Sequence, residues 1–115
     1  MAFIGEGSNR AWVNFLGGNG NSVGINDDYN VSSITHNNTG HYFINFDGSF
    51  SNINYCLNGT ATEDLTNANS RGEVVVAGDR TPHTASQCRI FTQTTNGSAS
   101  PRNCGRVECQ FTGDR

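Results

Sequence analysis

Apolar and polar residues alternate along most of the chain with the period of a β-strand, and no stretch follows the helical period. Clusters of Gly, Asn and Asp separate the alternating segments, as turns separate strands. The pattern predicts about eight short strands, at residues 11–15, 23–25, 29–35, 41–46, 53–57, 73–77, 86–92 and 106–111. We therefore expect an all-β fold, a single antiparallel β-sandwich or jelly-roll-like domain.

The strongest hairpin signal is the turn sequence at residues 36–40, which leads into the strand at 41–46. In that strand Tyr42, Ile44 and Phe46 share one face, which we expect to be buried. Residues 59–72 are mostly polar and are predicted to form the longest loop. The last two predicted strands are expected to form a hairpin, connected by residues 96–104.

The amino-acid composition supports the prediction of short strands joined by turns. The 115 residues include 14 Gly and 16 Asn, which favour turns and disfavour helix interiors. Charged residues make up only 15% and aromatic residues 10%, a balance that favours a folded chain over a disordered one. The length predicts one domain, which we place at residues 11–115 after an N-terminal arm at residues 1–10.

Charge and hydropathy exclude two classes of partner. The formal net charge is −3, all seven basic residues are Arg, and they form no cluster, so nucleic-acid binding is not expected. No apolar stretch approaches the roughly 20 residues of a membrane-spanning helix. The sequence does not open with a charged and then apolar leader, so we expect a soluble protein that begins as it was translated.

The four cysteines are candidates for disulfide bonds: Cys56, Cys88, Cys104 and Cys109. A bridge from Cys88 to Cys104 or Cys109 fits the predicted final hairpin, while Cys56 is expected to face away from Tyr55 and Leu57 as an odd or intersubunit thiol. The sequence leaves disulfides and buried free thiols open. A zinc site is disfavoured because the only close pair of cysteines is Cys104 and Cys109.

No arrangement of residues predicts catalysis, a cofactor or a metal. His36 and His41 flank the hairpin turn as possible cross-strand neighbours, and His83 stands alone. Carboxylates occur as the adjacent pairs 27–28 and 63–64, whose members point to opposite faces of a strand and so do not form an acid–base couple. We expect a protein that is not an enzyme.

The N-terminal arm carries two large apolar residues, Phe3 and Ile4, between glycines and ahead of the first strand. An exposed apolar pair in a free tail is unusual. We therefore expect this arm to dock on a neighbouring subunit or on a capsid, although a frayed terminus is the simpler alternative.

Several segments together resemble one family of proteins. They are Ala11-Trp12-Val13-Asn14-Phe15, Tyr29-Asn30-Val31-Ser32-Ser33-Ile34-Thr35, Asn38-Thr39-Gly40-His41-Tyr42-Phe43-Ile44-Asn45-Phe46 and Asn54-Tyr55. In this order they are similar to the small β-domains of tailed-bacteriophage virion proteins, which often lie at the distal ends of tail fibres. The similarity covers residues 11–55 well and the remainder loosely. Here the domain occupies nearly the whole chain, and the four cysteines depart from the family pattern.

The resemblance implies a virion structural protein without catalytic residues, located on the virion surface after synthesis in the host cytoplasm. A free-standing domain with an apolar arm suits a capsid decoration (cement) protein, expected as a homotrimer that binds the major capsid protein and stabilises the particle. The alternative is a tail-fibre tip that recognises a host surface glycan. A glycan-cleaving enzyme would need paired carboxylates, which the sequence does not place.

Overall fold

The computed structural model describes residues 9–19, 22–62, 74–78, 83–94 and 100–114. These residues form nine β-strands and no helix. The strands are β1 (Asn9–Leu16), β2 (Gly24–Tyr29), β3 (Val31–Asn38), β4 (His41–Phe46), β5 (Cys56–Thr62), β6 (Val74–Gly78), β7 (Gln87–Thr94), β8 (Ser100–Pro101) and β9 (Arg106–Thr112). The predicted all-β class is confirmed, and the predicted strand positions are close to the observed ones for most of the chain.

Two antiparallel sheets pack as a β-sandwich. The four-stranded sheet has the order β2-β1-β9-β5, and the five-stranded sheet has the order β3-β4-β7-β6 with the short β8 paired to β7. Because β1 and β9 are neighbours in the middle of the first sheet, the two ends of the described chain are held together by a ladder from Asn9↔Thr112 to Phe15↔Val107. This central pair forms the base of the site described below.

The core lies between the sheets and follows the predicted alternation. Tyr42, Ile44 and Phe46 of β4 are buried, as expected for the inward face of that strand. The Phe46 ring centroid lies 5.0 Å from that of Phe111 on the opposite sheet, in an edge-to-face arrangement. Burying such side chains contributes about 1.5–3 kcal/mol each, so this contact stabilises the packing of the two sheets.

The hairpin predicted at residues 36–40 is confirmed, although its turn is limited to Thr39 and Gly40 because β3 continues through Asn38. Gly40 closes it with a φ of 69°, in the left-handed region that favours glycine. A Cβ atom at this position would lie 2.5 Å from the Thr92 carbonyl oxygen, so the turn needs glycine for space as well as for conformation.

The boundary between β2 and β3 differs from the prediction. Tyr29 was expected to begin the third strand, but it ends β2, and Asn30 follows with a φ of 59°. The Asn30 amide donates to the carbonyl oxygens of Arg10 (3.2 Å) and Gly48 (3.0 Å), and its oxygen accepts from the Gly48 N–H (2.7 Å). Asparagine tolerates this conformation. The bend at Asn30 separates β2 from β3, so Tyr29 lies in the four-stranded sheet instead of the five-stranded sheet that contains β3.

The predicted loop at residues 59–72 is wrong in its first four residues. β5 continues through Thr62 and pairs with β9 along its full length, from Cys56↔Thr112 to Thr62↔Arg106. Pairing with a central strand overrides the weak strand propensity of its Asn, Gly and Ala residues. The rest of the predicted loop, residues 63–72, lies outside the described residues, and Ile53 at the predicted start of this strand is exposed.

The predicted final hairpin is also wrong, because β7 and β9 lie in different sheets. β7 pairs with β4, β6 and β8, whereas β9 pairs with β1 and β5. At the other end of the chain, β1 begins at Asn9, so the last two residues of the predicted arm belong to the sheet. Phe3 and Ile4, the predicted docking residues, lie outside the described residues.

Candidate functional site: the outer face of the four-stranded sheet

The cysteines do not form a reactive centre. All four are free thiols, with Cys56 exposed and Cys88, Cys104 and Cys109 buried. The proposed bridge from Cys88 within a final hairpin loses its basis because β7 and β9 are not neighbouring strands. Burial raises the pKa of the Cys88 thiol to about 12 and also raises the pKa values of Cys104 and Cys109. Protonated thiols are poor nucleophiles.

The Cys88 thiol lies beside His83, with 3.6 Å between Sγ and Nδ1. The backbone N–H of Arg89 donates to the same nitrogen at 3.4 Å. Because Nδ1 accepts from that N–H, a thiol proton directed at it would share the same single lone pair. Burial, which raises the pKa of Cys88, keeps this thiol protonated and fits a structural role in the core.

The two hairpin histidines are not cross-strand neighbours. His36 pairs with Tyr42, and its ring stacks on the Tyr42 ring with 5.1 Å between centroids. His41 pairs with Asn38 across the hairpin and packs against Phe91. Within the described ranges, no group of three or more His, Cys, Asp or Glu side chains could hold a metal ion.

A row of aromatic and amide residues crosses the outer face of the four-stranded sheet. The register places Trp12 of β1 opposite Tyr29 of β2 on one side and opposite Gln110 of β9 on the other. Gln110 is in turn opposite Asn58 of β5. Directly paired residues of an antiparallel sheet project to the same face, so the four side chains lie in one line across the sheet.

A second, more polar row runs beside the first. Asn14 of β1 is opposite Asp27 of β2 and Glu108 of β9, and Glu108 is opposite Thr60 of β5. We call the eight residues of the two rows the Trp12 face. They are Tyr29, Trp12, Gln110, Asn58, Asp27, Asn14, Glu108 and Thr60.

A groove of about 450 Å³ opens on the Trp12 face. Its wall includes six side chains of the two rows and the strand backbone between them at Val13, Gly59 and Cys109. Binding grooves for small molecules commonly combine aromatic surface with a few polar groups that set orientation. The groove has both, because half-buried Trp12 lies next to amides and a carboxylate.

The polar groups of the Trp12 face are only partly engaged with one another. Asn14 accepts a hydrogen bond from the Asn26 amide at 2.9 Å, and Arg106 Nε lies 3.2 Å from Glu108 Oε1. By contrast, the side chains of Gln110, Asn58 and Thr60 make no hydrogen bond in the described structure. Their donors and acceptors face solvent and are available to a ligand rich in hydroxyl groups.

Sequence reasoning missed this site. The one available signal was Trp12, the single Trp of the chain, at an outward position between the inward residues Ala11 and Val13. The other members come from strands distant in sequence, and only the pairing of β1 with β9 and of β9 with β5 brings them beside it. Alternation shows which residues face outward, but not which outward residues become neighbours.

Comparisons with known proteins add no assignment. No family model matches the chain, no curated protein matches its sequence, and no solved structure matches it. The resemblance to tailed-bacteriophage β-domains therefore stays a prediction from residues 11–55. Among the described residues, no helix is long and apolar enough to cross a membrane.

Proposed function

We propose that this chain is a non-enzymatic surface protein of a tailed-bacteriophage virion that binds a host surface glycan on the Trp12 face. The virion assignment is supported by the resemblance of residues 11–55 to phage β-domains. The binding assignment is supported by one observation above all, the line of Tyr29, Trp12, Gln110 and Asn58 across the sheet. The last three of these residues line the groove.

The chemistry of sugars matches this line of side chains. Indole and phenol rings offer flat apolar surface with a polar edge, against which the apolar face of a sugar ring can stack. Amide and carboxylate groups both bind hydroxyls, and an amide can donate and accept at once. The groove lies on paired strands rather than on a loop, which holds the side chains in fixed relative positions.

The test is binding of the purified chain to an array of bacterial surface oligosaccharides. We expect Trp12→Ala to weaken binding at least about 30-fold, since a central Trp typically contributes 2 kcal/mol or more. Phe43→Ala is the matched control, because Phe43 is a half-buried aromatic residue on the outer face of the other sheet. Equal binding by the Trp12→Ala variant, with its fold intact by circular dichroism, would contradict the proposal.

Capsid decoration by a trimer is the second proposed function, and the apolar arm residues Phe3 and Ile4 favour it. Copy number in purified particles separates the two roles. A decoration protein should be present in hundreds of copies per particle and absent from isolated tails. A fibre tip should be present in a few to a few dozen copies and should remain with the tails. If the arm docks on the capsid, deleting residues 1–7 should weaken capsid binding, and full binding by the truncated protein would contradict the docking role of the arm.

A further inference from the structure

The Trp12 face is longer across the strands than along them. The first row crosses four neighbouring strands, from Tyr29 to Asn58. At about 4.8 Å between strands this row is about 14 Å long, whereas the two rows lie only about 7 Å apart along the strands. A chain of sugar rings laid across the strands would therefore contact more of the face than a single sugar could.

The charges on this face select against acidic ligands. Asp27 and Glu108 both belong to the second row, and the adjacent cation, Arg106, is already paired with Glu108. Glu108 lines the groove, so a carboxylate or sulfate on a ligand bound there would lie beside a like charge. Hydroxyl groups can instead donate to these carboxylates, and hydrogen bonds to charged acceptors are strong.

The two ends of the first row differ in chemistry. Tyr29 and Trp12 form an aromatic end, with Tyr29 49% exposed. Gln110 and Asn58 form an amide end, where two side-chain amides face each other across β9 and β5. Ring stacking belongs to the aromatic end, and hydrogen bonding to hydroxyl or N-acetyl groups belongs to the amide end.

From this geometry we infer that the ligand of the Trp12 face is an uncharged oligosaccharide that lies across the strands. One sugar ring stacks at Trp12 and Tyr29, and a following ring is bound by Gln110 and Asn58. Glu108 and Asp27 accept hydroxyl hydrogen bonds and exclude acidic sugars. The inference rests on the proposed glycan-binding function and adds the class and direction of the ligand.

The experiment compares neutral trisaccharides with uronic-acid trisaccharides of the same linkage, in which a primary alcohol is oxidised to a carboxylate. Isothermal titration calorimetry at low salt should show the uronic form binding at least about fivefold more weakly, as expected for one added like-charge contact. Binding of the neutral form should be nearly independent of salt, because no ion pair forms. A steep loss of neutral binding with salt would overturn the inference.

Glu108→Gln should weaken neutral binding several-fold, because an amide oxygen is a weaker acceptor of hydroxyl hydrogen bonds than a carboxylate. It should also narrow the difference in affinity between the neutral and uronic ligands, because it removes the like charge from the groove wall. Asp47→Asn is the matched control: it removes the same charge from an exposed residue outside the strands and should leave the difference unchanged. If the uronic trisaccharide binds as tightly as the neutral one or more tightly, and Trp12→Ala abolishes that binding, the inference is overturned while the proposed function is supported. If none of the trisaccharides and no glycan on the array binds, the proposed function itself fails.

Discussion

The two outer faces of the sandwich use similar residue types in different ways. On the five-stranded sheet, the Asn45 amide donates to Ser33 Oγ at 3.0 Å and Thr35 Oγ1 at 3.1 Å, and its oxygen accepts from the Gln87 amide at 2.7 Å. On the Trp12 face, the side chains of Gln110 and Asn58 make no hydrogen bond in the described structure. Amide side chains of the first face therefore bond to their neighbours, whereas those of Gln110 and Asn58 on the Trp12 face remain available to a ligand.

The aromatic residues follow the same division. Phe43 is covered by the Arg89 guanidinium, 4.7 Å from its ring centre, and Arg89 also donates to Gln87. Trp12 has no ring or cation contact of this kind within the described ranges. An internally bonded face stabilises the fold, whereas an unsatisfied aromatic and amide face is the arrangement expected of a binding surface.

A substitution in the core between the two sheets should affect both outer faces, and it has the largest expected effect. Phe111→Ala should lower the free energy of unfolding by about 3–5 kcal/mol, because it leaves a cavity where the two sheets meet. Urea unfolding measures the loss, and both stability and binding should fall together. A loss below about 1 kcal/mol would show that the sheets do not depend on this contact.

Alkaline pH should weaken the same core through its thiols. The pKa of Cys88 is raised from its ordinary value of 9.0 to about 12, so the folded protein holds this proton more tightly than the unfolded chain does. The contribution of this thiol to the free energy of unfolding is therefore constant below pH 9. Between pH 9 and 12 the free energy of unfolding declines by about 1.4 kcal/mol per pH unit for one such thiol.

Unfolding midpoints measured across this pH window test the assignment. Cys88→Ala should make the decline shallower, even though it lowers stability at neutral pH. Cys56→Ser, which removes an exposed thiol, is the matched control. A slope that is the same in all three proteins would show that Cys88 is not responsible.

Asn45→Ala should damage only the internally bonded face. It removes three side-chain hydrogen bonds, and at about 1 kcal/mol each it should cost about 2–3 kcal/mol of stability. Glycan binding at the Trp12 face should remain within twofold once the protein is folded. A loss of binding comparable to that of Trp12→Ala would remove the distinction between the two faces.

Gln110→Ala should lower glycan affinity and spare stability, the reverse of Asn45→Ala, and its expected effect is the smallest. Because the side chain makes no hydrogen bond in the described structure, stability should change by less than about 0.5 kcal/mol. Glycan affinity should fall about fivefold, the loss expected when one ligand hydrogen bond is removed. Thermal unfolding and calorimetry on the same samples give both numbers, and a large stability loss with normal binding would reverse the assignment.

Local patterns predicted the fold class and most strand positions, because alternation is visible over a few residues. Tyr42, Ile44 and Phe46 were placed correctly on the buried side of β4. The patterns failed where a single backbone conformation decides the outcome, as at Asn30, and where distant strands pair, as for β5 beside β9. The binding face depends on those distant pairings: Trp12 and Gln110 are almost the whole chain apart in sequence.

The most direct test of the central claim is an NMR titration of ¹⁵N-labelled protein with a neutral trisaccharide. The spectrum resolves the indole N–H of Trp12 and the side-chain amides of the asparagines and glutamines in one experiment. The account predicts that the signals of Trp12, Gln110 and Asn58 shift on addition of sugar while those of Asn45 and Gln87 stay in place. Shifts confined to Asn45 and Gln87, or no shifts with any glycan that binds the protein, would contradict it.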